Sequence, residues 1–157
     1  DQEAKLIKKA VSSVIYLNNK TSLLIDIGGG STEFTLTENN KITFTKSYQC
    51  GTVRLLDQSC SDELNTLITS TVKQAYKEIS GILGNKKIDL CVGTGGNLKR
   101  MGKLRKIFFN RSAHKVTQQE LAAISSEVSK LSLEHRMNFL SMRQDRADVI
   151  VPAIQII

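Results

Sequence analysis

Apolar residues recur at helical spacing at the start of the chain, where Ile7, Ala10, Val11 and Val14 predict an amphipathic helix from Glu3 to about Asn18-Asn19. The pattern then shortens. Leu23-Leu24-Ile25 is an apolar run of strand length, and from Ser31 to Thr37 the residues Phe34 and Leu36 alternate with Glu33, Thr35 and Thr37. Asn39-Asn40 offers a hairpin turn into Ile42 and Phe44, so three strands are predicted near the start. Leu64, Leu67, Ile68, Thr71, Val72, Ala75, Ile79 and Ile82 form a stripe along a long helix that Gly84-Asn85 would stop. A strand over Ile88 to Val92 and a helix over Leu98 to Ile107 follow, which makes the long helix a crossover back to the sheet. The predicted class is α/β.

Beyond Phe109 the pattern is helical. Thr117-Gln-Gln-Glu120 has capping-box spacing before Leu121, Ile124, Val128 and Leu131, and a last element is predicted from Asp145 to Ile157. The uncapped apolar stretch at Ala153 to Ile157 and a start without methionine lead to the expectation that the chain is cut from a larger protein at both ends. No repeat, low-complexity segment or linker interrupts it, so residues 1–157 are read as one domain.

Composition narrows the class of function. Of the 157 residues 40% are hydrophobic and 24% charged, ordinary values for a soluble globular domain. No apolar run reaches membrane-spanning length and no secretory leader opens the chain, so the expectation is a cytoplasmic protein with no membrane partner. Cys50, Cys60 and Cys91 are too scattered for a disulfide framework or a zinc site and are read as reduced thiols. His114 and His135 lack the neighbours that would make them ligands or bases. A net charge of +7 calls for an acidic partner, with Lys99, Arg100, Lys103, Arg105 and Lys106 as the densest basic segment. No aromatic residues interleave that segment, which makes nucleic acid an unlikely partner.

The chemistry lies in two glycine-rich stretches. Asp26-Ile-Gly28-Gly29-Gly30-Ser31-Thr32-Glu33 follows the first strand, and Gly93-Thr94-Gly95-Gly96-Asn97 follows the fourth and precedes a helix. Consecutive glycines let backbone N–H groups approach an anion, hydroxyls add donors, and helix N-termini favour phosphate. Two such loops in matching contexts predict a polyanionic or nucleotide ligand, although neither is a Walker motif or a dinucleotide fingerprint. A carboxylate such as Asp26 beside bound phosphate calls for a divalent cation between them, most simply Mg²⁺.

The order of strand, Asp-Ile-Gly-Gly-Gly-Ser-Thr-Glu, hairpin, long helix, strand and Gly-Thr-Gly-Gly resembles the exopolyphosphatase and guanosine pentaphosphate phosphohydrolase family, Ppx/GppA. Cys50-Gly-Thr-Val-Arg54-Leu is similar to the family's Gly-Cys-Val-Arg-Leu segment. Arg146-Ala-Asp148-Val-Ile-Val-Pro-Ala is similar to its Arg-Ala-Asp-Val-Ile-Val-Pro-Gly segment. The resemblance implies a ribonuclease H-like domain of the sugar kinase, actin and heat-shock ATPase superfamily, with a mixed sheet and flanking helices. It further implies the second domain of a two-domain phosphatase core whose first domain is missing here, and it leaves room for a homodimeric parent.

Asp1-Gln2-Glu3-Ala4-Lys5-Leu6-Ile7 resembles the segment that holds the family's catalytic glutamate, which places that role on Glu3. By the same resemblance Asp26 would bind Mg²⁺ directly or through water, and Glu33 would help hold the metal or the nucleophilic water. Gly28, Gly29, Gly30, Ser31 and Thr32 would grip one phosphate, and Gly93, Thr94, Gly95, Gly96 and Asn97 another. Lys5 and Asn97 depart from the family's usual arginine and threonine, while Arg54, Arg146 and Asp148 are read as packing or ion-pair residues. The implied activity is hydrolysis of terminal phosphate from inorganic polyphosphate or guanosine pentaphosphate, with the isolated chain weak or inactive. Competing readings are a non-catalytic polyphosphate- or alarmone-binding module, which needs the loops but not Glu3, and an ATP-dependent kinase of the same superfamily.

Overall fold

A computed structural model describes residues 2–56, 61–112 and 115–157. Helix α1 (Gln2–Ser12) leads into strands β1 (Thr21–Ile27), β2 (Thr32–Glu38) and β3 (Lys41–Tyr48). Short helix α2 (Thr52–Leu56) and long helix α3 (Ser61–Leu83) return the chain to β4 (Leu90–Thr94). Helices α4 (Gly95–Phe109), α5 (Gln118–Lys130), α6 (Leu133–Phe139), α7 (Gln144–Ala147) and α8 (Ile150–Ile156) complete it.

The sheet has the order β3-β2-β1-β4. Its first three strands are antiparallel neighbours, and β4 pairs parallel with β1, as a strand reached by a helical crossover must. Asn39 and Asn40 both carry positive φ, 49° and 64°, which suits a tight hairpin turn that asparagine tolerates. Helices cover both faces. Leu23, Ile25, Phe34 and Leu36 pack with Ala75 and Ile79 of α3, whereas Leu24, Leu90 and Val92 pack with Ile7, Val11 and Leu17 on the α1 side. Thr35 and Thr37 are therefore buried rather than solvated; Thr35 Oγ1 meets Thr45 Oγ1 at 3.0 Å and Thr37 Oγ1 donates to the Ser22 carbonyl at 3.3 Å. Met101, Leu104, Ile124, Val128, Leu140 and Ile150 form a separate helical core among α4, α5 and α8.

Several boundaries differ from expectation for physical reasons. Helix α1 stops at Ser12 and Val14 is 85% exposed, because the buried side runs through Ala4, Ile7 and Val11 and leaves Ala10 and Val14 outside it. Strand β4 starts two residues late, at Leu90. Helix α4 starts three residues early, which turns the second glycine stretch into its first turn. The last element is two helices, α7 and α8, with Asp148 and Val149 between them, and α6 starts on the Ser132 cap. The capping box is present in full: Glu120 N–H donates to Thr117 Oγ1 and Thr117 N–H to Glu120 Oε2. Among the described residues no helix is long and apolar enough to cross a membrane. Cys50 and Cys91 are free thiols, while Cys60 and His114 lie outside the described residues.

Candidate active site

Alternation along β1 sorts its side chains, so Ser22, Leu24 and Asp26 share the α1 face. Asp26 and Glu33 are direct cross-strand partners and Asp26 and Thr94 are partners in the parallel ladder, which puts all three on that face at one end of the sheet. Glu3 lies exposed in the first turn of α1, the helix covering the same face. The electrostatics bind these positions together. Burial, then Glu33, then Glu3 push the Asp26 carboxyl above its ordinary range, opposed by hydrogen bonds from Thr94 and the Ile27 backbone. Glu33 is held in place because Ser31 Oγ and Ser47 Oγ donate to its Oε1 at 2.6 and 2.7 Å.

The first glycine loop is a turn closed by Gly28 N–H donating to the Ser31 carbonyl at 2.9 Å. Its outer side is braced by the start of α2, where Thr52 N–H donates to the Gly28 carbonyl at 3.0 Å and Val53 N–H to the Gly29 carbonyl at 2.9 Å. These peptides are trans, so the N–H groups of Gly29 and Gly30 point opposite to those carbonyls, away from α2. The donor-lined character of the loop thus follows from what holds its carbonyls. Gly51 is packed so tightly under the loop that a Cβ there would strike the backbone of Gly29, Gly30 and Ser31, whereas a Cβ on Gly30 would meet nothing within 4 Å. Thr32 is fully buried and spends its hydroxyl on the Cys50 carbonyl, so its side chain braces the loop from behind.

The second stretch divides its labour. Gly93 belongs to β4, and its missing side chain makes room for Leu98 at a tight strand–helix packing. Thr94 Oγ1 donates to the Ile25 carbonyl at 3.4 Å and lowers the Asp26 carboxyl, and it leaves the first turn of α4 without a side-chain cap, so its amides and positive dipole end are not masked by the threonine hydroxyl. Gly95 has φ 82° and lies against the Asp26 carboxylate. Gly96 lies under the guanidinium of Arg146, whose Nη1 would be 3.1 Å from a Cβ at that position. Asn97 is buried and its Nδ2 donates to the Ile27 carbonyl at 3.1 Å, fixing α4 to the end of β1.

Both loops open on one cleft of about 420 Å³, whose walls include Asp26, Gly28, Gly29, Gly95, Gly96 and Arg146. Arg146 was expected to be a packing or ion-pair residue. It has an ion pair with Asp145 at 3.8 Å, yet 47% of its side chain is exposed and it overhangs the second loop. The signal for it was present in the Arg-Ala-Asp segment, but nothing local in sequence connects residue 146 to residue 96. The basic segment after the second loop is not uniform. Arg105 turns inward to Glu120, its Nε and Nη2 donating to the carboxylate at 2.8 and 3.0 Å, while Lys99, Lys103 and Lys106 are exposed.

The sequence matches the Ppx/GppA phosphatase family over residues 1–157. The chain belongs to this family. A search of curated proteins finds no match. Among solved structures, the exopolyphosphatase from Cytophaga hutchinsonii superposes with a TM-score of 0.78 at 20% identity, covering 98% of this chain and 53% of that one. The Aquifex aeolicus Ppx/GppA phosphatase, in its type II variant, gives 0.75 at 22% identity, covering 99% and 54%. The fold shared with these Ppx/GppA structures is the actin-like ATPase fold expected from the sequence, and the chain spans about half the length of each. In this Ppx/GppA chain the family's Asp-Ile-Gly-Gly-Gly-Ser-Thr-Glu segment occupies one rim of the cleft and its Gly-Thr-Gly-Gly segment the other.

Proposed function

We propose that this chain is the second domain of a Mg²⁺-dependent phosphoanhydride hydrolase that releases terminal phosphate from inorganic polyphosphate, with guanosine pentaphosphate as the alternative substrate. The observation that carries the reading is the convergence of Glu3, Asp26 and Glu33 on one end of one sheet face, beside two glycine-rich loops and Arg146. The likeness to an exopolyphosphatase and to a Ppx/GppA phosphatase supports it, and so does the family.

In this reading the amides of the first loop and the uncapped first turn of α4 hold phosphoryl oxygens, and Arg146 draws the chain into the cleft. Glu3, exposed and able to reach solvent, orients a water in line with the leaving phosphate and accepts its proton. The donor set fits a hard divalent cation. The ionised Asp26 carboxyl is destabilised by burial and then by two carboxylate neighbours, a cost that a cation beside it would relieve. Mg²⁺ is commonly held by one or two carboxylates and completed by water and phosphate oxygens, and Asp26 and Glu33, paired across β1 and β2, would be those carboxylates. Asp26 and Glu33 would hold the Mg²⁺, whose chemistry there would be neutralisation of charge developing on the phosphoryl oxygens. Half a cleft holds substrate weakly, so the isolated chain is expected to be weak or inactive.

The test is phosphate release from polyphosphate and guanosine pentaphosphate by the full-length protein with Mg²⁺, against the Glu3→Gln variant. Loss of nearly all turnover in the variant supports the reading, and the faster substrate identifies the branch. Equal turnover by both proteins sinks the role of Glu3, and no turnover by either moves the reading to a binding module.

A further inference from the structure

A second basic feature lies away from the cleft. Lys5, Lys8 and Lys9 of α1 face Lys41 of the β2–β3 hairpin across a groove of about 520 Å³, completed by Ser12, Asn40 and Ile42. Helical spacing puts residues 5, 8, 9 and 12 on one side of α1 and Glu3 on nearly the opposite side, so the groove is a separate surface from the carboxylate cluster. Among the described residues no acidic side chain lines it, and none of the four lysines has an ion pair with another described residue. Glu38, the acid nearest Lys41 in the hairpin, is taken by Lys86. Asn40 on the groove wall keeps a buried Oδ1 with no hydrogen-bond partner, a polar atom that this surface leaves unsatisfied. Four cations that border one concave surface with no acidic partner among the described residues repel one another, and that repulsion is relieved when a polyanion enters.

We propose that this groove is a distal subsite for the body of a long polyphosphate chain whose end is processed in the cleft. The proposal rests on the hydrolase reading for its substrate. The hairpin end of β2 is about 20 Å from the glycine-loop end, seven strand residues away, so a chain must be long to occupy both places. Lysines are point charges without the planar fork that reads a base edge, and the groove holds no aromatic side chain on which a base could stack. A repeating phosphate polymer needs neither.

The test uses the full-length protein and a Lys8→Ala, Lys9→Ala, Lys41→Ala variant, leaving Lys5 in place because it lies in the segment around Glu3. Phosphate release is measured from tripolyphosphate and from long-chain polyphosphate over a salt series. The expected result is a KM for the long chain raised roughly tenfold with kcat unchanged, a shallower salt dependence, and tripolyphosphate kinetics like wild type. The matching Lys→Arg variant is expected to keep wild-type values, which separates charge from folding. An unchanged long-chain KM overturns the proposal, as does an equal loss on both substrates. Should the wild-type protein hydrolyse neither, direct binding of long-chain polyphosphate that depends on these lysines would support the groove while the hydrolase reading fails. Single-stranded DNA that binds more tightly than polyphosphate of equal charge would overturn it in favour of nucleic acid.

Discussion

The carboxylate of Asp26 rests against the α-carbon of Gly95, so the last polar residue of β1 and the first residue of α4 fit only because one of them has no side chain. Two requirements coincide at Gly95: its φ of 82° disfavours any L side chain, and a Cβ would collide with Asp26 Oδ1. Gly95→Ala is therefore expected to lower stability by about 1–3 kcal/mol and to displace Asp26, costing more than tenfold in turnover. Urea unfolding and phosphate release of the full-length protein check both. A variant with wild-type values would show that Asp26 is free to move aside.

That contact was only half legible in the sequence. The run Thr94-Gly95-Gly96 announced an anion-binding turn, but the partner of Gly95 comes from 69 residues earlier and is set by the parallel register that faces Asp26 with Thr94. Strand alternation made Phe34 and Leu36 core residues correctly, yet it could not tell that the opposite face would be covered as well, because α1 docks there through non-local packing. The glycine loop was legible as a turn, while its brace by Gly51, Thr52 and Val53 was not, since hydrogen bonds between loops leave no periodicity. The position of Arg146 was hidden for the same reason: its segment was visible, its place over Gly96 was not.

Gly51 and Gly30 should separate support of the loop from use of the loop. The three atoms nearest to a Cβ on Gly51 would be backbone atoms of the first loop, which cannot rotate away, so Gly51→Ala is expected to cost about 1–3 kcal/mol together with activity. Gly30 has open space at its Cβ direction and no positive φ, so Gly30→Ala should leave the urea midpoint within about 0.5 kcal/mol of wild type. Turnover by Gly30→Ala is nonetheless expected to fall, because the new methyl group occupies space a phosphate would approach. If Gly30→Ala is both stable and fully active, the first loop does not contact substrate at that residue.

Arg146→Ala removes the one guanidinium that the described residues place on the cleft wall, while leaving Gly96 unhindered. The expected effect is a kcat/KM lower by about ten- to a hundredfold, with thermal stability nearly unchanged because the side chain is half exposed and its ion pair with Asp145 is loose. Arg146→Lys should recover part of the affinity through charge but not the planar, two-pronged contact. A drop in melting temperature as large as that of Gly51→Ala would instead assign Arg146 to packing.

Glu120 ties α4 to α5, and its pH behaviour gives a test of the fold independent of catalysis. Arg105 foremost, with the Thr117 backbone N–H and Arg111, lowers its carboxyl to about 2 from an ordinary 4.5. A depressed carboxyl contributes stability that is present above pH 4.5 and is lost as pH falls toward 2. Glu120→Gln should therefore lower the urea midpoint at pH 7, and the gap from wild type should narrow progressively below pH 4.5. A gap independent of pH over that window would mean that the ion pairs with Arg105 and Arg111 do not form in solution.

Asp26 has the opposite sign, and that connects stability to the cation. Its carboxyl is raised above 3.8 by burial, Glu33 and Glu3, so the contribution it makes when protonated is complete below pH 3.8 and is lost as pH rises through its native pKa. At pH 7 the ionised group is consequently a net cost to the folded state. Asp26→Asn removes that charge with little change of shape, so the metal-free variant is expected to melt higher than wild type at pH 7, and this advantage should vanish below pH 3.8. Added Mg²⁺ should reverse the order, because a cation bound by Asp26 stabilises wild type by mass action and gives the asparagine variant little. Thermal melts with and without Mg²⁺ read this without any turnover assay. A melting temperature of wild type that does not respond to millimolar Mg²⁺, while phosphate release stays Mg²⁺-dependent, would move the metal off Asp26 and onto the substrate.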